Sequence, residues 1–275
     1  MSSVTKADGT TQPFDRQKII QTCLRLRSTR EMAENVADRI ERELYDGIPT
    51  REIIRRIYRY LAKYRPQVEY EADLRQALAL LRPRPDFEQY VARLLTEWGY
   101  STVGPLILRG RCVEHEIDAV ASRGGEATYV EVKHHASPHI FTGLDVFLQA
   151  KATFQDLSEG YVAGLNKISI QRAMVVCNTK LSDHARRYAG CAQIEYICWK
   201  SPPERSLEKL IEEKKLYPIT MLKRLDTETE GKLGDAGTIL LRELLDSDRK
   251  ELSKRTGVQM DQIEKLAQWA KEVLV

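Results

Sequence analysis

The sequence predicts an α+β protein built from more than one domain. Its 275 residues exceed one ordinary domain of about 150 residues. Amphipathic helical patterns fill both ends of the chain, and short β-prone runs joined by a glycine turn lie in the middle. Prolines in Arg82–Pro85 and Ser201–Pro203 end the elements that precede them. We therefore expect domains at residues 1–82, 85–200 and 201–275.

Composition favours a folded protein that is not embedded in a membrane. Hydrophobic residues make up 42% and charged residues 30% of the chain, which is enough to build a packed core. No apolar run approaches the ~18 residues that span a bilayer, and the first residues lack a secretory signal pattern. The 5 cysteines form no C-x-x-C pair, which argues against disulfides and against a thiolate zinc finger. These features predict a cytoplasmic protein with reduced thiols.

The first domain is predicted to be a β-hairpin followed by helices. Asp8-Gly9 lies between β-prone residues, and a type I′ turn needs the positive φ that glycine allows. Residues 28–31 have the pattern of a capping box, which predicts a helix through Tyr45. Thr50 is placed to cap the next helix. Residues 70–81 carry the apolar spacing of a further helix.

The middle of the chain predicts a hairpin that carries two carboxylates. Residues 116–121 and 128–133 are strand-like and are joined through Gly124-Gly125. A two-residue turn centred on these glycines places Asp118 opposite Glu131, with Cβ atoms about 4.5–5.5 Å apart. Lys133 lies two residues after Glu131 and therefore projects from the same face of the strand.

Facing carboxylates repel each other unless a cation lies between them. Oxygen ligands suit Mg²⁺ or Mn²⁺, so Asp118 and Glu131 are predicted metal ligands. Such an ion activates water, and Lys133 could orient that water or stabilise negative charge. Glu88 lies at the margin of an apolar helical stripe over residues 86–98, where its carboxylate can reach a neighbouring sheet or simply face water. The predicted chemistry is hydrolysis of a phosphodiester.

Two alternatives remain open for this region. Glu-x-Lys is common on exposed strand faces, so the motif by itself is weak evidence for catalysis. His134, His135 and His139 could add ligands for zinc, although only His135 is expected on the Glu131 face and the spacing is loose.

The first domain resembles the ATP-cone, a regulatory domain that binds nucleotides. The resemblance rests on Val4-Thr5-Lys6-x-Asp8-Gly9, Phe14-Asp15-x-x-Lys18-Ile19 and Tyr45-Asp46-Gly47-Ile48-x-Thr50. It implies that the hairpin and the first helix hold ATP or dATP. It also implies that Lys6 and Lys18 approach the phosphates, and that Val4 and Ile53 line the base or ribose pocket. The alternative is a helical dimerisation or protein-binding domain that no longer binds nucleotide.

The middle domain resembles the Mrr-like branch of the PD-(D/E)XK nucleases. The resemblance rests on Phe87-Glu88-x-x-Val91, Glu116-Ile117-Asp118-Ala119-Val120 and Val130-Glu131-Val132-Lys133. It implies a mixed sheet between helices in an α/β/α arrangement. It also implies metal ligation by Asp118 and Glu131, a catalytic Lys133, and an accessory acid at Glu88.

Together these features predict a Mg²⁺-dependent endonuclease that cuts double-stranded DNA under the control of an adenine nucleotide. Cutting both strands with one centre per chain favours a homodimer. One alternative is a nucleotide-sensing DNA-binding regulator on an inactive nuclease fold, and another is a junction or repair nuclease. Residues 201–275 are predicted to be helical, and they resemble helix-hairpin-helix modules only weakly. They could bind DNA or support oligomerisation.

Overall fold

The N-terminal region opens with the predicted hairpin. In the computed structural model, residues 2–6, 9–65, 68 and 72–274 are described. β1 (Ser3–Thr5) pairs antiparallel with β2 (Thr11–Pro13) and parallel with β3 (Ile48–Pro49). Gly9 has a φ of 80°, as a tight turn requires, whereas its predicted partner Asp8 lies outside the described residues. A small three-stranded sheet results.

Helices cover this small sheet. They are α1 (Arg16–Arg25), α2 (Arg30–Arg42) and α3 (Thr50–Leu61). Thr29 is the N-cap of α2, because its hydroxyl accepts a hydrogen bond from the Met32 N–H at 3.2 Å. The sequence pattern instead predicted Ser28 as the N-cap and a helix that continues to Tyr45, whereas α2 ends at Arg42. Thr50 is the first residue of α3 rather than its cap, and its hydroxyl donates to the backbone of β1. Buried side chains such as Val4, Ile20, Val36 and Ile57 build the N-terminal core.

The middle of the chain forms a mixed sheet, as predicted. Its strands and their neighbours are β4 (Ser101–Val103), β5 (Leu106–Arg109), β6 (Glu114–Ile117), β7 (Ala119–Arg123), β8 (Glu126–Lys133), β9 (Phe141–Thr142), β10 (Arg172–Cys177), β11 (Lys180–Leu181) and β12 (Glu195–Ile197). The order in the main sheet is β12-β10-β8-β7-β4. β12, β10 and β8 run parallel, while β7 and β4 are antiparallel to their neighbours.

Helices pack on both faces of this sheet. They are α5 (Glu88–Glu97), α6 (Leu144–Val162) and α7 (Asp183–Ala192). Alternate residues of β8 point to opposite faces, so Val130 joins the core under α5 and Tyr129 joins the core under α6 and α7. α5 follows a kinked segment at Pro83–Phe87, in which the backbone of Arg84 is extended (φ −129°, ψ 137°). The arrangement is the predicted α/β/α layering.

The C-terminal region is helical, as predicted. Its helices are α8 (Leu207–Lys214), α9 (Thr227–Asp235), α10 (Leu241–Asp246), α11 (Arg249–Thr256) and α12 (Met260–Leu274). Their apolar side chains extend the core under α5, which we call the α5-side core. No helix among the described residues combines the length and apolar character that crossing a bilayer requires.

The short helix α4 (Leu74–Leu80) joins two parts of the molecule. The spacing predicted a helix from Tyr70, which lies outside the described residues; the helix begins at Leu74, with Asp73 accepting hydrogen bonds from the first turn. The buried Leu78 belongs to the α5-side core rather than to the N-terminal core. In addition, the Thr220 hydroxyl donates to the Ala77 carbonyl at 2.7 Å. α4 therefore packs as part of the central and C-terminal body.

Candidate active site

The glycine turn sets the register of the central hairpin. Gly124 and Gly125 have φ values of 61° and 85°, which the type I′ turn requires. Ala119 pairs with Val130, and Arg123 pairs with Glu126 at the turn. This is the register that the sequence predicts. Because side chains alternate along β8, Glu131 and Lys133 project from the same face.

Asp118 departs from the prediction. The sequence indicated one continuous strand over residues 116–121, but the strand divides into β6 and β7 with Asp118 at the break. The backbone of Gly104 approaches closely here, since a Cβ on that residue would lie 2.4 Å from the Asp118 carbonyl oxygen. The buried Asp118 carboxylate instead accepts a hydrogen bond from the Val132 N–H at 2.7 Å. This hydrogen bond holds Asp118 beside Glu131, although the two residues are not paired in the β7–β8 register.

The acidic side chains act on each other electrostatically. Burial raises the pKa of Glu131, and the charge of Asp118 raises it further, while the Tyr129 hydroxyl that donates to Glu131 opposes the shift. Burial also raises the pKa of Glu88, again with a contribution from Asp118. Asp118 thus lies near both Glu88 of α5 and Glu131 of β8. Elements far apart in sequence bring these carboxylates together.

Arg84 supplies positive charge to this cluster. Its Nε lies 2.5 Å from an oxygen of Glu88, its Nη1 lies 3.0 Å from Glu116, and its Nη2 lies 3.1 Å from Asp118. Sequence reasoning treated this residue only as part of a proline-rich break. The one sequence feature that could have indicated this role is the spacing of four residues between Arg84 and Glu88, which is the spacing of ion pairs within a helix.

Comparison with known proteins assigns the chain to a family. Three family models match successive segments: the ATP cone domain over residues 2–79, the restriction endonuclease domain over residues 83–200, and the AF1548-like C-terminal domain over residues 217–274. An uncharacterised protein of Archaeoglobus fulgidus is 35% identical over 184 residues, which cover 67% of this chain and 99% of that protein. The chain belongs to this AF1548-like family of restriction endonuclease domain proteins.

A solved structure supports the same assignment. The crystal structure of AF1548, a protein of unknown function, matches with a TM-score of 0.60 and 35% sequence identity. The match covers 68% of this chain and 96% of that chain. The carboxylate cluster described above lies within the matched restriction endonuclease domain.

Histidines next to the hairpin of the restriction endonuclease domain are engaged elsewhere. The His134 ring contacts the Leu78 carbonyl oxygen at 3.0 Å, and the His135 ring contacts the Thr142 hydroxyl at 3.1 Å. Among the described residues, no group of three His, Cys, Asp or Glu side chains is arranged to hold a metal ion, and this includes both the histidines and the carboxylate cluster. The arrangement therefore gives no support to the zinc alternative.

Lys133 is exposed at the end of β8.

The ATP cone domain contains a cavity of about 790 Å³. Val4, Lys18 and Ile53 line it, as the resemblance implied, and the Lys18 ammonium lies 3.4 Å from the Gln12 side-chain oxygen. Lys6 is exposed on the hairpin and is absent from the described residues that line the cavity. The volume falls within the range of about 300–1,000 Å³ that is typical of small-molecule sites.

Proposed function

We propose that this protein is a divalent-metal-dependent DNA endonuclease controlled by an adenine nucleotide in its ATP cone domain. The observation that carries the proposal is the cluster of Glu88, Asp118 and Glu131 at one end of the β7–β8 hairpin, with Lys133 on the Glu131 face. Burial and the neighbouring charge of Asp118 raise the pKa of Glu88 and of Glu131, and carboxyl groups perturbed in this way at a partly buried point are typical of functional sites. The restriction endonuclease family match supports the reaction class.

The donor set fits Mg²⁺ or Mn²⁺. Asp118 and Glu131 offer carboxylate oxygens, and these ions bind proteins through one or two carboxylates while keeping waters and substrate phosphate as further ligands. Asp118 keeps one oxygen on the Val132 N–H and turns the other towards Arg84, so a cation could replace that guanidinium. A bound ion would supply an activated water and would offset charge on the phosphate.

The chain's own residues have distinct proposed roles. Lys133 donates hydrogen bonds to the attacking water or to the phosphate oxygens, where negative charge develops. Glu88 places its carboxylate beside Asp118 and orients water on that side of the site. Tyr129 donates to Glu131 and so keeps that carboxylate in place and charged. Together these residues position a phosphodiester for attack by water.

Nicking of supercoiled plasmid DNA in Mg²⁺ or Mn²⁺ tests the proposal. We expect Asp118→Asn and Lys133→Ala to lower the rate by at least about 100-fold, the typical contribution of one positioned acid–base or charge-stabilising group. Asn can still accept from the Val132 N–H, so the fold should be kept. The exposed Glu114→Gln and Lys167→Ala are matched controls and should cleave like the parent chain. Equal rates in all five proteins would remove the catalytic assignment.

One observation favours a second function, that of a nucleotide-sensing DNA-binding regulator. Arg84 already neutralises Glu88 and Asp118. In a catalytically inactive fold, its guanidinium could take the place of a metal ion. The two functions differ in the plasmid assay, because the regulator would bind DNA without cutting it at any metal concentration. Linear product beside nicked product would further indicate that two chains act together on a duplex.

A further inference from the structure

The cavity of the ATP cone domain is closed in part by residues outside the core of that domain. Part of its wall comes from Arg75 and Gln76 of α4, which lies at the end of the matched ATP cone segment and packs in the α5-side core. Another part comes from Pro138 and His139 of the restriction endonuclease domain. Pro138 is buried, whereas His139 is exposed at this edge. A ligand that fills the cavity would therefore touch two domains.

The charged residues that line the cavity are mainly basic. They are Lys18, Arg25 and Arg75, together with the carboxylates of Asp15 and Asp73. Both carboxylates already accept backbone hydrogen bonds as N-caps of α1 and α4. The cavity therefore offers an anionic ligand more cationic donors than carboxylates.

Arg75 is a partly buried cation with unused hydrogen-bonding capacity. Its Nε is buried and has no hydrogen-bond partner within the described part of the chain. Its guanidinium carbon lies 6.0 Å from the centre of the Trp199 ring, which holds it against the endonuclease domain. Burial lowers the pKa of Arg75, Asp73 opposes this shift, and the charge of Arg25, which pairs with Asp73 at 3.3 Å, adds to it. An anion placed beside Arg75 would offset the cost of burying its charge and would accept the missing hydrogen bond.

Apolar side chains also line the cavity. They include Val4 of the hairpin and Ile53 and Ile57 of α3. A ligand with a flat apolar ring at one end and several negative charges at the other matches both kinds of lining residue. A nucleoside triphosphate has this shape and charge distribution, whereas a monophosphate is shorter and carries less charge.

We propose that a nucleoside triphosphate bound in the cavity extends its phosphates to Arg75 and His139, and thereby contacts the endonuclease domain directly. The inference rests on the proposed nucleotide site and specifies how that site communicates. His139 belongs to residues 134–140, which join β8 to β9 directly after Lys133. His134 and His135 hold the start of this segment to Leu78 and Thr142. A ligand on His139 thus restrains the segment that leaves the candidate active site.

Calorimetric titration of the full chain with ATP and with AMP tests this inference. Arg75→Gln and His139→Ala should each weaken ATP binding by at least about tenfold, the effect of losing one hydrogen bond to a charged group. Both variants should bind AMP within about twofold of the parent, because the shorter ligand does not reach them. Arg42→Gln and His184→Ala are exposed controls outside the cavity and should bind ATP like the parent.

A second readout follows the segment itself. ATP should slow deuterium exchange over residues 134–140 in the parent chain and should not do so in His139→Ala. Since His139 is exposed, this variant keeps the test valid even if Arg75→Gln fails to fold.

The results separate this inference from the proposed function. If Lys18→Ala loses ATP while Arg75→Gln and His139→Ala bind it normally, the cross-domain contact is overturned and the nucleotide site stands. If the parent chain binds no ATP, both the nucleotide control and the cross-domain contact are overturned. Equal weakening of ATP and AMP would also overturn the assignment of these residues to the outer phosphates.

Discussion

Arg84 is the residue that balances the acidic cluster when no other cation is bound. It pairs with Glu88, Glu116 and Asp118 at once, yet its side chain remains 58% exposed. A side chain with that exposure can move into solvent without disturbing the core. Arg84 can therefore yield to a divalent ion, and the two cations should compete for the same carboxylate oxygens.

Replacement of this residue should tighten metal binding. We expect Arg84→Gln to lower the Mn²⁺ concentration for half-saturation by about fivefold, which corresponds to the ~1 kcal/mol upper value for an exposed ion pair. Calorimetric titration of Mn²⁺ measures the change, with the exposed Arg111→Gln as the matched control. An unchanged half-saturation in Arg84→Gln would show that the guanidinium and the ion do not share ligands.

Local sequence rules predicted one half of the site and missed the other. The glycine turn gave the hairpin register and the shared face of Glu131 and Lys133. The break at Asp118 depends on the close approach of Gly104, which no pattern within the strand records. The ion pairs of Arg84 with Glu116 and Asp118 likewise join segments that only the folded chain brings together.

At the scale of elements, α4 links the cavity of the ATP cone domain to the core of the restriction endonuclease domain. Its apolar face, including Leu78, packs in the α5-side core, while Arg75 and Gln76 face the cavity. The proline break at residues 82–85 suggested that the first domain ends after this helix. Apolar spacing identifies which side of a helix is buried, but it does not identify the neighbour against which that side packs. The tertiary assignment of α4 was therefore beyond sequence reasoning.

The packing of α4 predicts a large difference between two leucines of one helix. Leu78 is 0% exposed, so Leu78→Ala should lower the free energy of unfolding by about 2–5 kcal/mol through lost burial and a new cavity. Leu80 is 52% exposed, so Leu80→Ala should change it by less than about 0.5 kcal/mol. Urea denaturation followed by circular dichroism measures both. Similar losses in the two variants would contradict the observed placement of the helix.

Helix α9 carries a half-buried acid, Glu230, that should make stability depend on pH. Burial, followed by the charge of Asp86, raises the pKa of Glu230 to about 7, while Arg82 opposes the shift. One carboxylate oxygen of Glu230 is buried without a hydrogen-bond partner among the described residues. The unfolded chain releases this proton near pH ~4.3, so the folded state binds more protons between about pH 4.3 and 7. The contribution of Glu230 to stability therefore falls as the pH rises through that window.

Glu230→Gln should remove this pH dependence. We expect the variant to be more stable than the parent by about 2–3 kcal/mol at pH 8 and to approach the parent at acid pH. Denaturation midpoints at pH 5 and pH 8 provide the measurement. Glu228→Gln on the same helix has a side chain that is 78% exposed, and it should keep the parent's pH dependence. The same pH dependence in Glu230→Gln and the parent would refute the assignment.

At the scale of the whole molecule, the cavity of the ATP cone domain and the carboxylate cluster belong to different domains that share physical connections. α4 and residues 134–140 connect them, and the C-terminal helices pack on the same core as α4. The helical character of residues 201–275 was predictable from apolar spacing and from caps such as Asp248, which accepts from the Glu251 N–H at 2.8 Å. Their shared core with the sheet was not, because it depends on contacts between distant segments.

The central claim is that Asp118 and Glu131 together bind a divalent cation. A crystal soaked in Mn²⁺ and measured at an anomalous wavelength tests it most directly. We predict a peak about 2.0–2.6 Å from a carboxylate oxygen of each residue, with the Arg84 guanidinium moved away from Asp118. Manganese bound only elsewhere, with Arg84 still paired to Asp118, would contradict the claim.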